Sequence, residues 1–160
     1  MDKEFKIKGL MMDPLTNSPI VILQEVESGT LLPIWVGIFE ANAIALQIER
    51  VDTPRPMTHD LLKNVLMQLN AEVEKIVVTD LKDNTFYALI HLRLNGQAIT
   101  VDSRPSDAIA LALRTDSPIY VTETVINSSR NLAMSKDKLD PEDIRKWLEN
   151  LNPEDLGYKM

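Results

Sequence analysis

The sequence predicts an α+β fold, and three observations support this. Segments rich in β-branched and apolar residues come in pairs joined by turn residues, as at Asn95-Gly96. Segments with apolar residues at helical spacing follow these pairs, without strict alternation of single strands and helices. The four residues Ala-Ile-Ala-Leu occur at 43–46 and again at 108–111, each time just after a strand-like segment. We therefore predict one α+β domain with an internal duplication of hairpin-corner-helix units, in which helices pack on a mixed or antiparallel sheet.

The first predicted unit begins after a weakly alternating strand over 5–10 and a turn at Asp13-Pro14. Two strands over 20–26 and 31–36 flank turn residues and are expected to form a hairpin. Gly37 marks a corner, by which we mean the point where the chain passes from a strand into a helix. Apolar residues then recur at helical spacing over 38–50. Glu40 falls in the first turn of this helix, where a negative charge suits the helix dipole.

A second helix is predicted after two prolines, Pro54 and Pro56, which keep the residues before them extended. Thr58 is the predicted N-cap and Asp60 a first-turn acid. The sequence then predicts a stripe of buried residues on one face of the helix: Leu61, Leu62, Val65, Leu66 and Leu69.

The second unit repeats this plan. Predicted strands over 73–79, 85–94 and 98–101 are joined by turns at 80–84 and Asn95-Gly96 and lead to a helix over 106–114. A short strand over 117–121 and a short helix over 122–134 follow. A last helix starts at Asp140-Pro141, an acidic cap followed by proline. We therefore divide the chain into a domain over 1–134 and a linker with a C-terminal amphipathic helix over 135–160.

Composition limits the classes of function. The chain has 160 residues and no cysteine, which excludes disulfides, zinc-thiolate sites and thiol catalysis. No apolar run approaches the roughly 20 residues of a membrane-spanning helix, and we expect a cytoplasmic protein without membrane contact. The net charge of −7 disfavours general electrostatic attraction to nucleic acid. It remains compatible with phosphodiester chemistry if bound cations offset the repulsion locally.

The second corner lies between the predicted strand over 98–101 and the predicted helix over 106–114. It contains the densest group of candidate functional side chains: Asp102, Arg104, Ser106 and Asp107. One interpretation is structural, with Ser106 or Asp107 capping the helix and Arg104 pairing with a carboxylate. The other is a divalent-cation and phosphate site, because hard cations favour oxygen ligands and a helix N-terminus favours anions.

Two further groups have the same two interpretations. His59 and Asp60 are either exposed first-turn residues or a base and its neighbour, since a neutral imidazole can accept a proton or bind a metal. Glu40 either complements the helix dipole or belongs to a site. Asn42 precedes the first Ala-Ile-Ala-Leu just as Asp107 precedes the second, so a pseudo-twofold arrangement would bring both corners to one cleft.

Four segments in this order, LPIWVGIFEANAIAL, PRPMTHDLL, LKDNTFYALI and DSRPSDAIALALR, closely resemble the bifunctional nuclease domain family. The resemblance runs from about Lys6 to Ser128. It implies a compact α+β fold, activity on DNA and RNA and, for bacterial members, oligomers. We expect this chain to lack the additional C-terminal module of longer members. The matching residues are Glu40, Arg55, Pro56, Thr58, His59, Asp60, Asp83, Thr85, Phe86, Asp102, Arg104, Pro105, Ser106 and Asp107.

The resemblance and the residues together lead to one hypothesis, a nuclease that hydrolyses DNA and RNA with Mg²⁺ or Mn²⁺ and forms a homo-oligomer, most simply a dimer. In this hypothesis the substrate-binding residues are Arg55, Arg104 and Ser106. The metal ligands are Glu40, Asp102 and Asp107, with Asp60 as an alternative to Glu40, and the catalytic residues are His59, Asp60, Asp102 and Asp107. The alternative is a non-catalytic module that binds an anionic ligand or a partner protein through the same corners.

Overall fold

The computed structural model describes residues 1–135, with side chains described through residue 129. The strands are β1 (Asp2–Met12), β2 (Pro19–Glu25), β3 (Leu31–Trp35), β4 (Ala71–Lys82), β5 (Thr85–Leu94), β6 (Gln97–Ser103) and β7 (Ile119–Thr122). The helices are α1 (Ile38–Ile48), α2 (Thr58–Gln68), α3 (Pro105–Thr115) and α4 (Glu123–Ser135). The predicted helix starting at Asp140 lies outside the described residues, and the division into 1–134 and 135–160 stays a prediction.

The strands form one sheet in the order β3-β2-β1-β7-β4-β5-β6. Among the strands of residues 1–135, five neighbouring pairs are antiparallel and the pair of β4 and β7 is parallel. The mixed sheet with its helices confirms the predicted α+β class. Three antiparallel strands followed by a helix occur on each side of β7, as β1–β3 with α1 and as β4–β6 with α3. This repeated order agrees with a duplication, which itself stays a prediction.

Two tight turns shape the second half of the sheet. Asp83 and Asn84 have φ of 51° and 62°, and Asn95 and Gly96 have 51° and 79°. Positive φ at both central residues is typical of the two-residue type I′ turn, whose backbone twist matches the twist of the two strands that it joins. The predicted turn over 80–84 was too wide, because β4 continues through Lys82, which pairs with Thr85. Pairing with β5 therefore adds three residues to the end of the predicted strand.

Helix α3 lies at the centre of the fold. Its five residues from Ala108 to Ala112 are at most 1% exposed, so the helix is buried on all sides. It packs against α1, α2, β4 and β5. Three of these five residues are alanines, and their small side chains allow the neighbouring elements to approach closely. The central position of α3 places its N-terminus beside the other two helices.

Helix α2 departs from the prediction. The predicted buried stripe is exposed, with Leu61, Val65 and Leu69 showing 56%, 45% and 61% of their surface. Only Leu66 of the predicted stripe packs against the core cluster, and α2 contains no buried residue. The N-cap is Met57 rather than Thr58, and its backbone N–H donates to Oδ2 of Asp60 at 3.0 Å. The prediction was wrong because periodicity shows that a helix has an apolar face but not what covers that face.

No helix within the described residues is long and apolar enough to cross a membrane. The cytoplasmic location stays a prediction.

Candidate functional site

The two corners of the fold meet at the N-termini of α1 and α3. Arg104, the residue before α3, donates from Nη2 to Oε1 of Glu40 in α1 at 2.6 Å. It also donates from Nε to Oδ2 of Asp107 at 3.0 Å. The Arg104 side chain is 64% exposed, while that of Glu40 is mostly buried. One guanidinium therefore links the two corners and still faces solvent.

Gly37 makes room for Glu40. This glycine precedes α1 with φ of −72°, which any residue can adopt. A Cβ built on Gly37 would overlap the Glu40 carboxylate, at a separation that real Cβ atoms essentially never show. The glycine is therefore needed for space and not for backbone freedom. It allows the Glu40 side chain to fold back over the start of its own helix.

The N-terminus of α2 adds a histidine to the same place. Nε2 of His59 lies 2.8 Å from Oδ1 of Asp107, although the two residues are 48 positions apart in the chain. The His59 side chain is only 12% exposed, so its ring is held in place. When the Asp107 carboxylate accepts this hydrogen bond, Nε2 carries the proton and Nδ1 of a neutral ring keeps its lone pair. Asp107 thus orients both His59 and Arg104.

The two carboxylates beside Arg104 favour the charged form of its guanidinium. Hydrogen bonds from Arg104 to Glu40 and then to Asp107 raise the pKa of the guanidinium above its ordinary value. Its Nη1 group remains available to a ligand, because the hydrogen bonds found among residues 1–129 use only Nε and Nη2. A fixed guanidinium with a free donor suits recognition of a phosphate oxygen.

A second ion pair lies next to the first and includes an arginine that the sequence reasoning missed. Nε of Arg114 donates to Oδ1 of Asp60 at 2.6 Å, and the Arg114 side chain is 3% exposed. Burial of the Asp60 carboxyl favours its neutral form. The Met57 N–H and Arg114 outweigh that effect, so that the Asp60 pKa lies below its ordinary value. The available signal was an arginine ending the otherwise apolar run Ala108–Leu113, where a charge needs a partner.

Three other predicted site residues lie outside this cluster. Asp102 is exposed on β6, and its neighbour Val101 pairs with the core residue Ile90. Side chains alternate along a strand, so Asp102 points to the opposite face from that core. Ser106 is buried in the first turn of α3, and Arg55 is exposed in the segment before α2. The described structure thus brings together Glu40, His59, Arg104 and Asp107, with Asp60 adjacent. Within residues 1–129, the side chains of Asp102, Ser106 and Arg55 make no hydrogen bond or ion pair with this cluster.

The cluster does not fit a resident metal ion in this arrangement. No group of three His, Asp or Glu side chains within the described residues is placed to hold one. The carboxylates of Glu40 and Asp107 both point at Arg104, a cation that already occupies the space between them. A cation at this position would have to displace the guanidinium. The requirement for Mg²⁺ or Mn²⁺ stays a prediction.

Comparison with known proteins gives the family of the chain. The bifunctional nuclease domain model matches residues 21–133, more than two thirds of the sequence. The chain belongs to the bifunctional nuclease domain family. The matched region contains Glu40, His59, Arg104 and Asp107, so the whole cluster lies inside the bifunctional nuclease domain.

Relatives of this bifunctional nuclease domain differ in length. An uncharacterised protein of Mycobacterium tuberculosis is 34% identical in an alignment 164 residues long, gaps included. This alignment covers 96% of this chain and 97% of that protein. Bifunctional nuclease 2 of Arabidopsis thaliana is 29% identical over 126 residues, covering 77% of this chain and 38% of the plant protein. Bifunctional nuclease 1 of the same plant is 30% identical over 118 residues, 72% of this chain and 36% of its own length. The chain therefore spans less than half of the two plant nucleases and nearly all of the mycobacterial protein.

Proposed function

We propose that this protein is a nuclease that hydrolyses phosphodiester bonds of DNA and RNA. The observation that supports it best is the pairing of His59 and Arg104 on the two oxygens of one carboxylate, Asp107. That arrangement offers a base and a phosphate-binding cation at a fixed separation. The bifunctional nuclease domain of the chain and the names of its plant relatives agree with this chemistry.

In the proposed reaction His59 activates water. Its Nδ1 takes a proton from a water molecule, and the hydroxide so formed attacks the phosphorus. Arg104 donates to a phosphate oxygen from Nη1 and stabilises the negative charge that builds up as the bond to the leaving oxygen breaks. The leaving oxygen takes a proton from solvent water, and the protonated His59 releases its extra proton from Nδ1 to solvent, so that the imidazole returns to its neutral form and the protons balance. Asp107 keeps the imidazole and the guanidinium in position throughout.

Arg55, a divalent metal ion and Asp102 are proposed to assist this reaction. Arg55, exposed before α2, is proposed to contact the substrate backbone, because a chain of net charge −7 needs local cations for that purpose. A requirement for Mg²⁺ or Mn²⁺ is a separate proposal, and the reaction above does not depend on it. Asp102 is retained as a candidate ligand for such an ion, although it faces away from the cluster.

A homodimer through α2 is also proposed. Leu61, Val65 and Leu69 lie four residues apart, so they form one apolar stripe along the exposed side of the helix. A stripe of this kind complements its own copy across a twofold axis, which makes a second chain a suitable occupant. His59 begins the same helix, so the interface would lie beside the site.

Cleavage of single-stranded DNA and RNA by rigorously purified protein tests the nuclease proposal, with Mg²⁺, Mn²⁺ or EDTA. Asp107→Ala is compared with Asp102→Ala, since both remove one carboxylate but only Asp107 contacts His59 and Arg104. Loss of cleavage in Asp107→Ala supports the proposed site, and loss in Asp102→Ala together with EDTA sensitivity supports a metal role. Equal cleavage by a double variant at Asp102 and Asp107 would indicate a contaminating nuclease or another site. A folded protein that is stabilised by nucleotides but cleaves nothing would favour the alternative, a non-catalytic binding module.

A further inference from the structure

Helix α2 carries His59 but is weakly attached to the core. The helix buries no side chain completely, and Leu66 is its only predicted stripe residue that packs against the core cluster. Most helices in proteins are positioned by an apolar face that packs on the core. Packing of that kind does not fix the N-terminus of α2. Polar contacts in its first turn must therefore determine where His59 lies.

Arg114 provides one of these contacts from a guanidinium that two other helices hold in place. Its Nη1 donates to the carbonyl of Ala110 in α3 at 2.9 Å, and its Nη2 donates to the carbonyl of Ala43 in α1 at 3.0 Å. These two bonds hold the planar guanidinium between α1 and α3. The remaining donor, Nε, then points at Asp60 at 2.6 Å. The arginine thus offers α2 a docking point already fixed to the other two helices.

The spacing of Asp107 and Arg114 on α3 allows the contact between Arg114 and Asp60 to fix the position of His59. Asp107 and Arg114 are seven residues apart in α3, about two turns or 10 Å along the same face of the helix. Consecutive residues of α2 reach these two positions, His59 at Asp107 and Asp60 at Arg114. Two anchors that far apart fix both the position and the rotation of the first turn of α2. Loss of the Arg114 anchor would leave His59 to swing about a single hydrogen bond.

We propose that Arg114 is a positioning residue that sets His59 against Asp107 by holding Asp60. The Arg114 side chain is 3% exposed and therefore too buried to contact a substrate, so its effect on cleavage passes through His59. The effect on cleavage rests on the proposed nuclease function. The effect on the placement of His59 does not depend on that function.

NMR of the full chain tests the placement directly, because the sequence contains only two histidines, His59 and His91. His91 lies on β5 away from the cluster and serves as an internal reference. Arg114→Lys keeps the positive charge but removes the planar guanidinium and its three donor nitrogens. In this variant we expect the His59 imidazole signals to shift and broaden while those of His91 stay in place. Asp60→Asn removes the same ion pair from its more exposed end and should also shift and broaden the His59 signals. Arg93→Lys, at an exposed arginine on β5 that pairs with Glu74, is the matched control and should leave the His59 signals unchanged.

Kinetics provide the second measurement. A shift of about 1 Å in a catalytic group lowers rates by up to about 100-fold, so we expect kcat to fall 10- to 100-fold in both variants with KM changed less than about threefold. Unmoved His59 signals in folded Arg114→Lys and Asp60→Asn would overturn the positioning role. Moved signals with unchanged cleavage would instead overturn His59 as the base. If the wild-type protein cleaves neither DNA nor RNA, the nuclease proposal fails while the NMR comparison still decides the role of Arg114.

Discussion

Replacing Gly37 by alanine would test whether Glu40 holds Arg104 in the cluster. The new Cβ would overlap the Glu40 carboxylate, which is the end of a flexible side chain and can move away. Movement of that carboxylate breaks its hydrogen bond with Nη2 of Arg104. We expect a folded protein in which Arg104 is held by Asp107 alone. The substitution therefore disturbs the cluster without changing any of its residues.

The expected loss of stability is small. Because Arg104 is 64% exposed, its pair with Glu40 resembles a surface salt bridge, worth about 0.2–1 kcal/mol. Replacing glycine by alanine at an N-cap costs a further few tenths to about 1 kcal/mol. The sum of about 0.5–2 kcal/mol corresponds to a decrease in Tm of about 1–8 °C for a domain of this size. Such a loss leaves the chain folded, given typical stabilities of about 5–15 kcal/mol.

Gly9→Ala is the matched control. A Cβ at Gly9 meets no atom within 4 Å, and Gly9 has no positive φ. We expect this variant to be neutral or stabilised by up to about 1 kcal/mol, through reduced entropy of the unfolded chain. Thermal unfolding and cleavage kinetics are measured on both variants. In Gly37→Ala we expect kcat/KM to fall about two- to fivefold, the equivalent of up to about 1 kcal/mol of phosphate binding.

Two results would contradict this reasoning. A crystal structure of Gly37→Ala with the contact between Glu40 and Arg104 intact would show that the backbone at residue 37, and not the Glu40 carboxylate, moves to accommodate the new Cβ. Unchanged kcat/KM with the contact broken would show that Glu40 does not contribute to the function of Arg104.

Three other predictions follow from the same contacts. Asp107→Ala removes the acceptor of His59 and of Arg104 and should abolish cleavage. The variant should stay folded, because the exposed Arg104 pair is worth about 0.2–1 kcal/mol and the hydrogen bond with His59 about 1.5–3 kcal/mol, together less than typical stabilities of about 5–15 kcal/mol. Circular dichroism checks its fold, and a folded Asp107→Ala protein with full activity would exclude that residue. The pKa of Asp60 is lower in the folded than in the unfolded chain, so its stabilising effect is complete above about pH 4 and is lost as pH falls through its folded pKa. The difference in unfolding free energy between wild type and Asp60→Asn should therefore shrink during acid titration, and a constant difference down to pH 2.5 would argue against the ion pair. Val65→Glu places a charge in the middle of the exposed stripe of α2 and should convert the proposed dimer to a monomer in analytical ultracentrifugation. Met67→Glu, at an exposed residue on the opposite side of the same helix, should not. A wild-type monomer would rule out the dimer.

Much of the local structure could be predicted from the sequence because local chemistry determines it. Strand β5 was predicted with its observed bounds, since turn residues precede and follow it at Asp83-Asn84 and Asn95-Gly96. Helix α3 was predicted over 106–114 and is observed over Pro105–Thr115, because its apolar residues repeat at helical spacing. The family resemblance likewise rested on short ordered segments.

The assembly of the site could not be predicted in the same way. Asp102 and Asp107 are neighbours in sequence and both carboxylates, but strand alternation turns Asp102 away while α3 directs Asp107 toward His59. Arg114 was overlooked because its role depends on a carbonyl of α1 and a carboxylate of α2, residues far away in the chain. The exposed stripe of α2 was expected to be buried for the same reason.

For residues 1–135, the sequence by itself thus indicated the strands, turns and helices, and it indicated the family to which the chain belongs, because propensities and turn chemistry act over a few neighbouring residues. Only the tertiary structure decided which charged residues share a cluster and which helix face stays uncovered. Both depend on how α1, α2 and α3 pack against one another, and that packing results from contacts between residues distant in the chain.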